Sequence, residues 1–257
     1  MVNLHTHTSR CKHAVGTPAD YAAAAAEKGF TVLGIADHTP FPDNRWASIR
    51  MDMAELDDYL ADVQEARQLY PQLKILTGAE CEYFPEYHTF FKDVLLGEKK
   101  MDYLIGSVHF YPYHGEMKGF WSGFKMDREA LMSYAETYTA MLKSGLFLFG
   151  AHPDTFGASI VQWDADCAEC ANRICSTAAS MNVPLEINAS GWLKAAQHPE
   201  SPLPYPLQPF WEIAAEHHVK VVVNSDAHAP EVLDAYLEKG YRLAEQCGLE
   251  IVYPFGR

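Results

Sequence analysis

Seven short apolar, β-prone runs recur along this 257-residue chain, at residues 2–4, 31–36, 74–79, 103–108, 146–151, 183–188 and 220–225. The segments between them carry helix signals. "TPADYAAAAAEKG" offers Thr17 as a cap, Pro18 in the first turn and Gly29 as a stop, and the segment from Asp127 to Gly145 follows the same logic. Strands separated by helices pair in parallel, because a parallel connection needs a long crossover. Seven such units predict a closed or nearly closed α/β barrel, a (β/α)7 relative of the TIM barrel. A doubly wound sheet is the competing architecture. No low-complexity linker, charge block or solenoid repeat divides the chain, so residues 1–257 are expected to form a single domain. "EYHTFFKDVLLGEKKMDY" and "PESPLPYPLQPF" read as excursions from it.

The residues that follow these runs narrow the chemistry. They are His5 and His7, then Asp37 and His38, then Glu80, His109, His152, and finally Asp226 and His228. Six of the seven runs thus lead directly into a metal-ligand residue type. In a parallel barrel all strands end on one face, where loops build the active site, so these distant residues would converge. One histidine after a strand reads as a structural residue; six such coincidences do not. In His5-Thr6-His7 the imidazoles are two apart on an extended segment and point the same way. Imidazole and carboxylate suit Zn, Mn or Fe, and the lack of cysteine ligands argues against a closed structural zinc site.

Charge excludes some partners. The formal net charge is −14, which disfavours binding to polymeric nucleic acid through a basic surface. A small anionic substrate remains compatible, with bound metal supplying local positive charge. No apolar run approaches the roughly 18 residues of a membrane span, and no membrane partner is expected. The first residues lack the apolar core and basic start of a secretory signal, so a cytoplasmic protein is expected. The six cysteines do not form a disulfide pattern. Cys167 and Cys170, with Cys175, read as thiols on a helix. A homo-oligomer is left open.

The stretches "LHTHTSRCKH", "GIADHTPFP", "SIRM", "ILTGAECEY", "DYLIGSVHF", "FGAHPD", "LEINASG" and "NSDAH" resemble the polymerase and histidinol phosphatase (PHP) family of metal-dependent phosphoesterases, along nearly the whole chain. The likeness is strongest to its monofunctional histidinol-phosphate phosphatases. The resemblance implies a distorted seven-stranded (β/α) barrel with two to three divalent metal ions at the C-terminal ends of the strands. Carried over, His5, His7, Glu80 and Asp226 would hold one metal. Glu80 would bridge to a second, held also by His109 and His152, and His13, His38 and His228 would hold a third. Glu82 reads as a mere neighbour of the bridging carboxylate, and Asp37 as a residue that orients a ligand.

The implied activity is hydrolysis of a small phosphorylated substrate, L-histidinol phosphate in histidine biosynthesis. A metal-bridging hydroxide would attack phosphorus, and the metals would stabilise the charge on its oxygens. Asp226 or an imidazole such as His228 would move the proton. Arg50, Lys194 and His114 are further substrate-binding candidates. Lys194 departs from the family pattern, since "GWLK" stands where relatives carry Arg, and "HPDTFGASIVQW" lacks a basic residue often found there. These departures bear on substrate identity more than on reaction type. His88, His198, His217 and His218 read as surface or loop histidines. The alternatives are a PHP phosphatase with another small phosphoester, a non-catalytic metal-binding protein, and an amidohydrolase-type barrel. The last lacks an evident strand-borne lysine to bridge metals.

Overall fold

Three of the α-helices begin where a side chain satisfies the first free N–H groups. In the computed structural model, which describes residues 1–197 and 205–256, Thr17 accepts from Asp20 N–H and the Asp20 carboxylate accepts from Thr17 N–H, opening α1 (Pro18–Glu27) with a capping box. The Asp127 and Asp164 carboxylates cap α3 (Arg128–Lys143) and α4 (Ala165–Met181) by accepting from backbone N–H groups of the first turn. The remaining α-helices are α2 (Leu56–Leu69), α5 (Ser190–Gln197), α6 (Gln208–Glu216) and α7 (Leu237–Cys247). The excursion after residue 85 contains a π-helix, Phe90–Glu98. Among the described residues no helix is long and apolar enough to cross a membrane.

The parallel strands are β1 (Val2–Asn3), β2 (Val32–Ile35), β3 (Lys74–Thr77), β4 (Glu80–Glu82), β5 (Ile105–Ser107), β8 (Phe149–Gly150), β9 (Leu185–Asn188) and β10 (Val221–Asn224). They form two parallel sheets, ordered β1-β2-β3 and β10-β9-β8-β5-β4. The expected run at 74–79 therefore continues as two strands, bent at Gly78-Ala79. Before the bend it pairs with β2; after it, Ile105 N–H donates to Ala79 O at 2.9 Å and β4 pairs with β5. The other seam, β1 to β10, is closed by side chains and a single bridge. Asn224 Oδ1 accepts from Leu4 N–H, Asn3 donates to Ser225 Oγ, and Thr6 bridges Ala227. The result is a distorted TIM-like barrel with seven strand paths.

Alternation of side chains across the strands separates two apolar cores. The larger lies between barrel and helices. The smaller, with Val2, Leu4, Leu76, Ile105, Phe149 and Val222, fills the barrel and is covered from below by Val252, Tyr253 and Phe255. Tyr103 crosses this interior and donates to Leu4 O at 2.6 Å. It passes so close to the chain that a Cβ on Gly34 would lie 1.9 Å from its hydroxyl, and one on Gly78 2.5 Å from its ring.

One element was not expected. After β5 the chain turns into an antiparallel hairpin of β6 (Phe110–Tyr113) and β7 (Glu116–Gly119). His114 and Gly115 make its turn with positive φ of 51° and 79°.

Candidate metal centre

The strand ends converge as parallel geometry requires. His5 and His7 follow β1 with their Nε2 atoms 3.1 Å apart. Glu80, the first residue of β4, reaches both arms of the cluster. Its Oε2 lies 3.4 Å from Nε2 of His5 and of His7, and 2.9 Å from His38 Nδ1. Its Oε1 lies 2.9 Å from His152 Nε2 and 3.5 Å from His109 Nε2. Asp226 Oδ1 lies 3.0 Å from His7 Nε2 and 3.5 Å from His5 Nε2. His13, His38 and His228 gather above, with the His13 ring 5.2 Å from that of His38 and 5.0 Å from that of His228. Potential ligand atoms fall into sets lying within 4.8 Å of one another: His5, His7 and Glu80; Glu80, His109 and His152; His7, His38 and His228.

These donors suit divalent cations. Oδ1 of Asp226 is buried without an aligned hydrogen bond, although it sits among three imidazoles. Buried polar atoms normally find partners, and a cation is the partner that nitrogen and oxygen lone pairs share. Asp226 and His152 also hold positive φ, 49° and 30°, uncommon for residues with a side chain and more frequent at functional sites.

Electrostatics follow from the crowding. Burial disfavours the charge on Glu80, but His38, His5 and His109 hold its carboxyl well below the usual range. Asp226 is likewise depressed against burial, by His5, His7 and His228. Burial opposes charge on His5 too, yet Glu186, Asp226 and Glu80 raise it well above an ordinary imidazole. Burial lowers the outer histidines His13 and His38, and takes His228 down to about 4.

Carboxylates behind the cluster orient it. Glu186, inside the barrel on β9, lies 2.8 Å from His5 Nδ1 and accepts from His152 N–H. Sequence reasoning did not single it out. Its signal was an acidic residue in an otherwise apolar strand, "PLEIN", on the inward face. Asp37 accepts from the N–H and Oγ1 of Thr8 and faces His7 Nδ1 at 3.9 Å; burial pushes its carboxyl up to about 7. Glu82 is not a mere neighbour of Glu80. It lies 2.8 Å from His109 Nδ1 and accepts from the N–H groups of His109 and Phe110. Alternate residues of one strand share a face, so a carboxylate two past Glu80 reaches the same cluster from behind. Cys11 was also missed. It is buried, and its thiol lies within 4.8 Å of ligand atoms of His13 and His228.

The cluster of imidazoles and carboxylates floors a cavity of about 510 Å³. Arg50 and Lys194, two of the substrate-binding candidates, line it. The Arg50 guanidinium is buried, donates to Thr39 O and packs 4.8 Å from the Phe41 ring centre. Lys194 Nζ donates to the Tyr205 hydroxyl at 3.2 Å. His114 does not join them. It sits exposed at the hairpin turn, 3.6 Å from Glu129, because the turn directs it outward. His88, His217 and His218 lie apart from the cluster, and His198 lies outside the described residues. Cys167, Cys170 and Cys175 are buried on α4 in the outer core.

Known proteins resemble this chain. The chain is 32% identical over 254 residues to a Deinococcus radiodurans protein named "Probable histidinol-phosphatase", covering 95% of this chain and 90% of that one. A Schizosaccharomyces pombe protein of the same name is 25% identical, with 96% and 87% covered. Among solved structures, a Lactococcus lactis histidinol phosphate phosphatase complexed with zinc, L-histidinol and phosphate superposes with a TM-score of 0.76 at 16% identity, covering 98% of this chain and 95% of that one. The PHP domain model matches residues 3–190. The chain therefore belongs to the PHP family.

Proposed function

We propose that this protein is a metal-dependent phosphomonoesterase that hydrolyses L-histidinol phosphate to L-histidinol and phosphate, a cytoplasmic step of histidine synthesis carried out by residues 1–257 as one domain. The observation that carries the reading is Glu80. One buried carboxylate is shared between two histidine nests at the floor of a cavity that also presents two cations. The names of the D. radiodurans and S. pombe relatives support the substrate, and the zinc, L-histidinol and phosphate in the L. lactis complex support a ring-bearing alcohol and a divalent ion.

His5, His7, Glu80 and Asp226 would hold one ion, Glu80, His109 and His152 a second, and His13, His38 and His228 a third, with Zn, Mn and Fe all compatible. Bound divalent ions supply Lewis acidity toward phosphate oxygens and make water more acidic. The chain's own residues do the rest. Arg50 and Lys194 offer N–H donors and positive charge to the phosphate dianion. Water adds to phosphorus and the ester P–O bond breaks. Asp226 or His228 carries the water's proton toward the leaving oxygen, yielding the alcohol. Glu82 and Glu186 hold the imidazoles of His109 and His5 in their tautomers.

The test is phosphate release by metal-replete protein from L-histidinol phosphate and a panel of sugar, glycerol and amino-alcohol phosphates. L-Histidinol phosphate should have the highest kcat/KM. A better substrate elsewhere in the panel would overturn the substrate assignment, and no release from any would overturn the reaction.

A further inference from the structure

The cavity has two unlike kinds of lining. The metal-ligand cluster and the cations supply its polar part; Ile49, Phe110, Leu193, Ala229 and Val232 supply its apolar part. Among the described lining residues the only carboxylates are Glu80 and Asp226, and both are engaged with imidazoles. Beyond the cluster and the two cations, the lining is apolar apart from Ser190 and Gln197. An aromatic face is the part of that apolar lining best suited to discriminate shape.

Phe110 is held in place more firmly than packing alone requires. Its N–H donates to Glu82, the carboxylate that also holds His109, so ring and metal ligand are fixed to one group. Trp46 stacks on it at 4.2 Å between centroids and 7° between planes. Trp46 does so from a left-handed backbone, φ 54°, which costs energy for a bulky residue and needs surrounding structure to hold it. The guanidinium of Arg50 lies 5.6 Å from the Trp46 ring on the same brace. A flat hydrophobic face and a phosphate-binding cation are thus set on one rigid support.

We infer that Phe110, braced by Trp46, is the platform for the planar ring of the leaving group and the residue through which the enzyme distinguishes a ring-bearing amino alcohol from a ringless one. The inference deepens the L-histidinol phosphate reading and rests on it for the identity of the ring. Phe110 touches no reacting atom; its contribution is selective binding.

L-Histidinol and L-alaninol differ only by the imidazole ring, so calorimetric titration of each into zinc-loaded protein isolates the platform. The native protein should bind L-histidinol at least about tenfold more tightly, the scale of one good aromatic contact with its buried area. Phe110→Ala and Phe110→Leu should bring the two alcohols to within about twofold, while Phe110→Tyr should keep the preference. Metal content and melting temperature show that each variant is folded; Phe110→Leu keeps the apolar bulk should alanine unfold the hairpin. No ring preference in the native protein, or an unchanged preference in folded Phe110→Leu, would overturn the inference. Activity is read separately. Phosphate release from L-histidinol phosphate without ring selectivity would sink the platform alone, and ring selectivity without phosphate release would sink the proposed reaction alone.

Discussion

Two carboxylates two residues apart on β4 carry different duties. Glu80 faces five imidazole nitrogens, whereas Glu82 faces His109 from behind and two backbone N–H groups. Replacing Glu80 by Gln removes an anion from the middle of the cluster and should cost about 10³-fold or more in kcat, with loss of bound metal. Glu82→Gln keeps the shape and one acceptor oxygen. It should cost about 10- to 100-fold in metal affinity or turnover, the usual scale for a group that orients a ligand. Paired metal analysis and steady-state kinetics check both. A larger loss in Glu82→Gln would exchange their roles. At this scale the sequence was readable where a residue type stood at the end of an apolar run, as with His5, His109 and His152. It was less readable for Glu82 and Glu186, whose contacts are side-chain bonds across strands that spacing alone does not reveal.

Among elements, strand ends and helix caps were legible because local chemistry sets them. Thr17 and Asp127 cap where expected. The bend between β3 and β4 was not, because there Glu80 keeps its backbone bonds to Asp37 and Thr39 after β2 while its strand also pairs with β5. Nor was the β6–β7 hairpin, since "FYPYHGEMKG" lacks the apolar alternation of a half-buried strand, and its positive-φ turn at His114-Gly115 is a weak signal beside the Asn-Gly and Asp-Gly pairs. Asp127 joins this hairpin to α3: it accepts from Ala130 N–H at 2.9 Å and from the Tyr113 hydroxyl at 2.8 Å. Asp127→Ala should cost about 1 kcal/mol in urea unfolding at pH 7. The backbone N–H of Ala130 holds the Asp127 carboxyl below its usual range. A depressed folded pKa gives stability that is present above the unfolded value and lost as pH falls through the folded one. The gap between native and variant should therefore narrow below about pH 4. A gap that stays constant with pH would assign the cost to helix propensity rather than to the charged cap.

The molecule as a whole is a device for bringing chain-distant residues to one mouth. Its floor must be tight for the ligands above to keep their places, and Tyr103 fills that floor. A methyl at Gly34 would meet the Tyr103 hydroxyl at 1.9 Å and the Leu4 Cα at 2.9 Å, so moving the tyrosine alone does not relieve it. Gly34→Ala should destabilise by about 1–3 kcal/mol or more, with lowered metal affinity because Leu4 leads directly into His5. An unchanged unfolding midpoint would show a looser interior than described. An acidic chain of net charge −14 can attract a phosphate ester only if its mouth is locally positive, and the buried cluster gives that role to bound cations. The most direct test is reconstitution. Protein stripped by a chelator should release no phosphate from L-histidinol phosphate, and activity should return as zinc or manganese is added, levelling off at two to three equivalents per chain. Full activity in the stripped protein, or a plateau below one equivalent, would contradict a metal centre built on Glu80.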